Sequence, residues 1–277
     1  MLAAVATALA LLLSPSTATA TAAQPRPATL IAFGDAADCS VQTDSAVAAV
    51  VARIPGTIAV LGDSVYERGT ADEFRRCYLP VFGRFLPRTR AALGNHEYGT
   101  GNADAAISTF GLPPRGFYSY ELGAWHVVVL NSNCSPAGGC GRGAPQETWL
   151  RRDLAAHRAR CTVAYWHHPR WSSGLHGSDP TMATLWGDLA RGGADVVLAG
   201  HDHHYERFAP IDGIRSFVVG TGGRSHYPVL IRRPGSRVVN DDTFGVLRLT
   251  LAADSYSWRF VPVTGSTFTD SGTARCR

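Results

Sequence analysis

The sequence holds 277 residues, with 26 arginines and no lysine set against 22 acidic residues for a formal net charge of +4. The excess is mild and spread along the chain. Without a dense basic run it argues against nucleic-acid binding or attachment to an anionic membrane, and it would draw an anionic substrate only weakly.

In chain order, the first 23 residues, MLAAVATALALLLSPSTATATAA, carry no charge. They read as a secretory signal peptide, apolar to Leu13 and then rich in small residues that offer cleavage sites near Ala20 or Ala22. An uncleaved membrane anchor is the alternative, disfavoured because the apolar run stops short of the roughly 20 residues a span needs. Residues 24–277 are expected to form one domain, long enough to bury roughly 70 to 75% of its unfolded surface. The segment ATLIAFGD reads as a buried strand ending at Asp35, residues 41–54 as a helix, and GTIAVLGD as a second strand ending at Asp63. ADEFRRCYLPVF supplies a short helix before RAALGNHEYG, a third strand ending in Gly94, Asn95 and His96. FYSYEL and WHVVVLNS follow without a helix between them, which predicts an antiparallel portion. A helix from Gln146 to Arg158 leads into the strand CTVAYWHH, and residues 180–190 fit another helix. ADVVLAGHDHHYERF reads as one further strand and supplies the fifth polar terminus, and RSFVVGTGG, FGVLRLTL and YSWRFVPV read as late strands, the last two a hairpin. The pattern predicts an α/β fold, whose chemistry gathers outside the carboxyl ends of its strands.

Six cysteines, Cys39, Cys77, Cys134, Cys140, Cys161 and Cys276, behind an export signal predict a disulfide-bonded product. Only Cys134 with Cys140 can be paired by proximity, across the glycine-rich loop SNCSPAGGCGRG. No C-x-x-C spacing suggests a thiol redox site or cysteine-ligated zinc.

Five strand ends offer Asp35, Asp63, Asn95, His167 or His168, and the pair His201 and His203. Singly, each has an ordinary explanation as a cap, a turn residue or a core histidine. Jointly they assemble carboxylates, an amide oxygen and imidazoles, the donors suited to a pair of moderately hard cations. Such a pair can hold a phosphoryl group and activate water. If the chain stays extended through residues 201 to 203, both imidazoles lie on one side and Asp202 and His204 on the other.

The blocks FGD (33–35), GDSVY (62–66), GNHE (94–97), HHP (167–169) and GHDHHYER (200–207) together resemble the calcineurin-like metallophosphoesterases, and within them the purple acid phosphatase branch. The resemblance implies a two-sheet sandwich flanked by helices. It further implies that Asp35, Tyr66 and His203 bind a first metal, with Fe(III) suited to the Tyr66 phenolate. Asn95, His167 and His201 would bind a second ion of zinc, iron or manganese, and Asp63 would bridge both. His167 takes the ligand role because the family histidine stands two residues before proline, leaving His168 for packing. His96 would contact phosphate and protonate the leaving group, work suited to an imidazole, and His176 would be a second substrate-facing histidine. Arg207 reads as a buried anchor, whereas Arg224 and His226 fall where relatives have a loop bordering the substrate. Ala37 departs from both family patterns, histidine in many members and glycine in the purple branch, which leaves a place on the first metal for Tyr66. The implied activity is hydrolysis of phosphomonoesters by metal-generated hydroxide, in a secreted, extracellular enzyme of bacterial-type export acting on a small phosphate ester. A phosphodiesterase with the same centre and a non-catalytic phosphoryl-binding protein are the alternatives. No G-x-S-x-G elbow points to a serine nucleophile.

Overall fold

A computed structural model describes residues 1–5 and 26–277. Residues 6–23 of the expected signal peptide lie outside the described residues.

Among the described residues, thirteen strands follow in chain order. The first three are β1 (Ala28–Phe33), β2 (Thr57–Leu61) and β3 (Thr89–Ala92). Next come β4 (Tyr118–Leu122), β5 (Trp125–Val129), β6 (Cys161–Tyr165) and β7 (Val196–Ala199). Then β8 (Tyr205–Phe208), β9 (Arg215–Val219) and β10 (Ser236–Asn240) precede β11 (Gly245–Leu251), β12 (Ser255–Pro262) and β13 (Ser271–Arg275). They form two mixed sheets, ordered β13-β12-β11-β1-β2-β3 and β10-β8-β9-β7-β6-β5-β4. Within them β1, β2 and β3 run parallel, as do β5, β6, β7 and β9. The expected pair β4 and β5 and the hairpin β11 and β12 are antiparallel.

The two-residue period of a strand explains the layers. Leu30, Ala32, Leu61, Val127, Val163 and Leu198 point between the sheets and build the central core. Their neighbours Ile31, Phe33 and Val60 point outward and are covered by Val47, Ala48 and Val51 of the helix Thr43–Ala52. On the far side, Val128, Ala164 and Val197 pack under Leu150 of helix Pro145–Ala156 and Leu185 and Leu189 of helix Ala183–Arg191. Strands buried on both faces read as continuous apolar runs, as these do. The architecture is the expected sandwich of two mixed sheets flanked by helices.

One expected element divides. Residues 195–208 hold two strands, β7 and β8, separated by a turn over residues 200–204. His201 adopts a left-handed φ of 71°, and the amides of Asp202 and His204 donate two residues back, to Gly200 at 2.9 Å and Asp202 at 2.7 Å. The extended spacing predicted for His201 and His203 is therefore replaced by a turn. Beyond the expected elements, β10 and β13 extend the sheet edges and a helix spans Asp104–Phe110.

Three disulfides are present: Cys134–Cys140, the pair expected from proximity, with Cys39–Cys77 and Cys161–Cys276. The last ties the C-terminal segment to the start of β6, inside the core shared by both sheets.

Candidate metal centre

The carboxyl ends of β1, β2, β3, β6 and β7 meet at one edge of the sandwich. Gly34 donates to Val219 O at 2.9 Å, joining the first sheet to the second, and Gly200 donates to His167 O at 3.0 Å. The loops leaving β1 and β2 then run side by side: Ala36 donates to Asp63 O, Ala37 to Ser64 O, and Tyr66 back to Ala37 O at 2.9 Å. This pairing sets Tyr66 opposite Asp35. Of the four non-glycine residues with positive φ among the described residues, three are Asp35 (61°), Asp63 (47°) and His201 (71°). Left-handed backbone at such residues costs on the order of 1–3 kcal/mol and persists where surrounding contacts enforce it. Space is equally constrained: a Cβ on Gly94 would collide with the Asp63 carboxylate, and one on Gly200 would come within 2.6 Å of Asp35 Oδ2.

Seven side chains gather in two overlapping groups. In one, Tyr66 Oη lies 3.1 Å from Asp35 Oδ1, 3.2 Å from Asp63 Oδ2 and 3.1 Å from His203 Nε2. In the other, His167 Nε2 lies 3.2 Å from Asp63 Oδ2, 3.1 Å from Asn95 Oδ1 and 3.2 Å from His201 Nδ1. Asp63 Oδ2 belongs to both groups, while Asp63 Oδ1 accepts from His96 N at 2.9 Å.

These contacts hold too few protons. His167 Nδ1 lies 2.8 Å from Leu61 O, and a carbonyl only accepts, so Nδ1 carries the hydrogen and Nε2 of the neutral ring presents a lone pair. That lone pair faces a carboxylate oxygen, an amide and a second imidazole. Tyr66 Oη likewise has one hydrogen for two carboxylate oxygens, whichever way the proton lies between it and His203 Nε2. Cations resolve both conflicts, and oxygen and imidazole donors of this kind suit moderately hard divalent or trivalent ions. Fixing one imidazole nitrogen to orient the other is the usual arrangement of a histidine ligand; His203 repeats it, with Nδ1 2.7 Å from Ser225 Oγ.

The electrostatics agree. Burial opposes the charge on Asp63, yet His167 and His96 hold its carboxyl well below the usual range. Burial also opposes protonation of His167, but the charges of Asp63 and Asp35 push its pKa up to about 9, so a proton there stands in for a cation. Burial and the neighbouring His167 take His201 down to about 2. Burial, reinforced by Asp63 and Asp35, raises the Tyr66 phenol well above its ordinary value. Only added positive charge would ionise it.

The remaining candidates lie around this centre. His96 turns Nδ1 to Glu67 O at 2.6 Å and leaves Nε2 3.8 Å from Asp63 Oδ2, facing inward. The His176 ring stands 4.5 Å from that of His201, and its amide donates to Asp202 Oδ1 at 2.8 Å. Asp202 is buried and also accepts from Ser172 Oγ and Gly177 N, so it props the loop that carries His176. His168 turns Nδ1 to Ser132 Oγ at 2.7 Å, and buried His204 pairs with Glu206 at 3.1 Å. Arg207 clamps Asp270 through Nε at 2.7 Å and Nη2 at 3.1 Å, away from the ligands. The Arg224 guanidinium lies 5.0 Å above the Tyr66 ring while paired with Asp38 and Glu67. His226 supports the backbone of His203, with Nδ1 3.1 Å from its carbonyl oxygen.

Glu97 is the residue that sequence reasoning undervalued. Fully buried, it accepts from the amides of Asp63 (3.0 Å), Ser64 (2.6 Å) and Gly94 (2.6 Å), locking the loops after β2 and β3 together. Burial and the charge of Asp63 push its pKa up to about 7. The available signal was an acid placed in a turn between buried segments.

Known proteins resemble this chain in sequence and in fold. The family model for calcineurin-like phosphoesterases matches residues 24–205. A Mycobacterium tuberculosis protein described as uncharacterized is 29% identical over 200 residues, which cover 63% of this chain and 36% of that protein. The chain therefore spans little more than a third of that relative's length. Human tartrate-resistant acid phosphatase type 5 is 26% identical over 198 residues, 60% of each chain. Among solved structures, a purple acid phosphatase from yellow lupin seeds superposes with a TM-score of 0.76 at 20% identity, covering 91% of this chain and 54% of that one. At that identity the likeness speaks to the fold.

Proposed function

This chain belongs to the calcineurin-like phosphoesterase family, and from that footing we propose that it stands in the purple acid phosphatase-like branch as an exported phosphatase that hydrolyses phosphomonoesters at a dinuclear metal centre, a reading its resemblance to purple and tartrate-resistant acid phosphatases supports. Residues 24–277 act as one catalytic domain. Asp35, Tyr66 and His203 hold the first ion, Asn95, His167 and His201 the second, and Asp63 both. The observation that carries this reading is Asp63 Oδ2, shared between two groups of donors whose lone pairs face one another. Phenolate is a hard anionic donor, which supports Fe(III) at the Tyr66 site and zinc, iron or manganese at the other.

When bound, the two cations supply positive charge to phosphoryl oxygens and acidify water. The side chains do the rest. With Nδ1–H donated to Glu67 O, a protonated His96 turns its Nε2–H toward the centre, where it hydrogen-bonds a phosphoryl oxygen and delivers a proton to the departing alkoxide. His176 faces the same space from the side of His201. Gly94, Gly200 and the left-handed turns keep the ligands in place before substrate arrives. Three disulfides support an oxidising compartment and hence export.

The test is turnover of p-nitrophenyl phosphate and bis-p-nitrophenyl phosphate by purified protein of measured metal content. The monoester is expected to react faster. Preference for the diester would replace this reading with a phosphodiesterase, and metal-filled protein that turns over neither would make it a binding protein.

A further inference from the structure

A cleft of about 410 Å³ opens beside the candidate centre, lined on one side by Gly174 and Leu175 and on the other by Pro228, Leu230 and Ile231. Its volume lies within the roughly 300–1,000 Å³ of small-molecule sites. It is not a remote feature. Leu175 and Gly177 flank His176, whose ring stands 4.5 Å from His201 and 5.5 Å from Tyr227. Tyr227 in turn stacks on His203 at 4.3 Å, and Pro228 follows it directly into the cleft. Gly177 also lines the smaller hollow of about 220 Å³ formed with His168, His176 and His201. The metal-facing imidazoles thus grade into an apolar groove; the one carboxylate lining the hollow between them, Asp179, is engaged by Thr181.

The groove is unusual in what it exposes. Leu175, Leu230 and Ile231 are 69%, 87% and 82% exposed, and they are the large exposed apolar side chains among the described residues 26–277. Two sequence-distant loops, around residues 175 and 230, bring them to one place. Such a patch rimming a pocket marks a binding surface. Arg233 lies at the rim, and among the described residues no carboxylate is paired with its guanidinium.

Resting on the phosphomonoesterase reading, we infer that this groove is the subsite for the alcohol portion of the substrate, and that the substrate class is a phosphate ester of an apolar alcohol, an alkyl or aryl chain, in preference to a sugar or other polyol. The phosphate occupies the centre between His96 and His176, and the chain extends from its ester oxygen past His176 toward Leu175, Leu230 and Ile231. Each methylene taken from water into the groove then adds to transition-state affinity, about threefold in kcat/KM for the partly open site.

The experiment measures kcat/KM for n-alkyl phosphates from ethyl to octyl, each below its micelle concentration, with glycerol phosphate as the polar comparison and matched metal loading throughout. The expected result is a steady rise with chain length and discrimination against glycerol phosphate. In a Leu230→Ser, Ile231→Ser double variant, and separately in Leu175→Ser, the octyl-to-ethyl ratio should fall at least tenfold; these positions are exposed, so folding is not at stake. A flat series in the unmodified protein overturns the subsite while leaving the phosphatase reading intact. A rise that survives in both variants overturns its location. Hydrolysis of p-nitrophenyl phosphate without hydrolysis of any alkyl phosphate overturns the subsite alone, whereas failure on p-nitrophenyl phosphate as well overturns the phosphatase reading and the subsite together.

Discussion

The side chain on which metal identity turns is Tyr66. Its hydroxyl meets Asp35, Asp63 and His203 at 3.1 to 3.2 Å, yet burial and two carboxylates oppose its ionisation. A bound cation would reverse that balance, the more readily the higher its charge, which is why the proposed function puts a trivalent ion here. Iron-loaded protein should show a visible absorption band, and Tyr66→Phe should abolish it while the protein stays folded. A band unchanged in Tyr66→Phe would remove Tyr66 from the metal. The neighbouring Arg224 guanidinium, 5.0 Å above the ring, sits where it favours negative charge on the phenolate.

At the scale of elements, the candidate ligands sit in the loops that leave β1, β2, β3, β6 and β7, beginning two or three residues past the strand ends. The strand ends were legible in the sequence because four of the five buried apolar runs break at a glycine and a polar residue, as in LGD and LGN, and the fifth breaks at the paired histidines of YWHH. The turn at 200–204 was not. GHDHH runs on from the apolar strand VVLA with no proline to stop it, and what holds its bend is the long-range bond from His201 N to Asp35 Oδ2 at 2.9 Å, which no local pattern reveals. The edge strands β10 and β13 escaped notice for the opposite reason: SRVVN and SGTAR are half-exposed and polar, with little period to detect. Glu97 joins the nearby amide of Gly94 to those of Asp63 and Ser64, more than thirty residues back along the chain, and that long-range half of its role was invisible locally.

A second element-scale device lies away from the centre. Buried His126 of β5 contacts Glu121 of β4 at 3.0 Å and Asp153 of helix Pro145–Ala156 at 2.7 Å, one through each ring nitrogen. Burial opposes its charge, but the two carboxylates raise its pKa above the usual 6.5. Burial likewise opposes the charge of Asp153, and His126 holds it below the usual 3.8. The histidine's contribution is therefore full below about pH 6.5 and is lost as pH rises through its raised value; that of Asp153 is present above about pH 3.8 and is lost on acidification. His126→Gln should cost about 1–3 kcal/mol near pH 5.5, a few degrees of melting temperature, with the deficit shrinking toward pH 9. A deficit constant from pH 5.5 to 9 would show that only packing was lost.

Across the whole molecule, the sandwich depends on ties between distant parts of the chain. Cys161–Cys276 spans 115 residues and Cys134–Cys140 only 6. On the chain-entropy account the longer loop contributes about 4.7 kcal/mol and the shorter about 2 kcal/mol. Replacing Cys161 and Cys276 by alanine should lower the melting temperature by on the order of 10 °C, and removing the short bridge by less than half of that; equal losses would contradict the account. The same long-range economy places the centre where the two sheets meet, with Asp35 and Asp63 from the first and His167, His201 and His203 from the second. The most direct test is the metal content per chain of the unmodified protein and of Asp63→Asn. Two equivalents falling below one in the variant is the expected result; a single equivalent in the unmodified protein, or a full equivalent retained by Asp63→Asn, would contradict a centre bridged by Asp63.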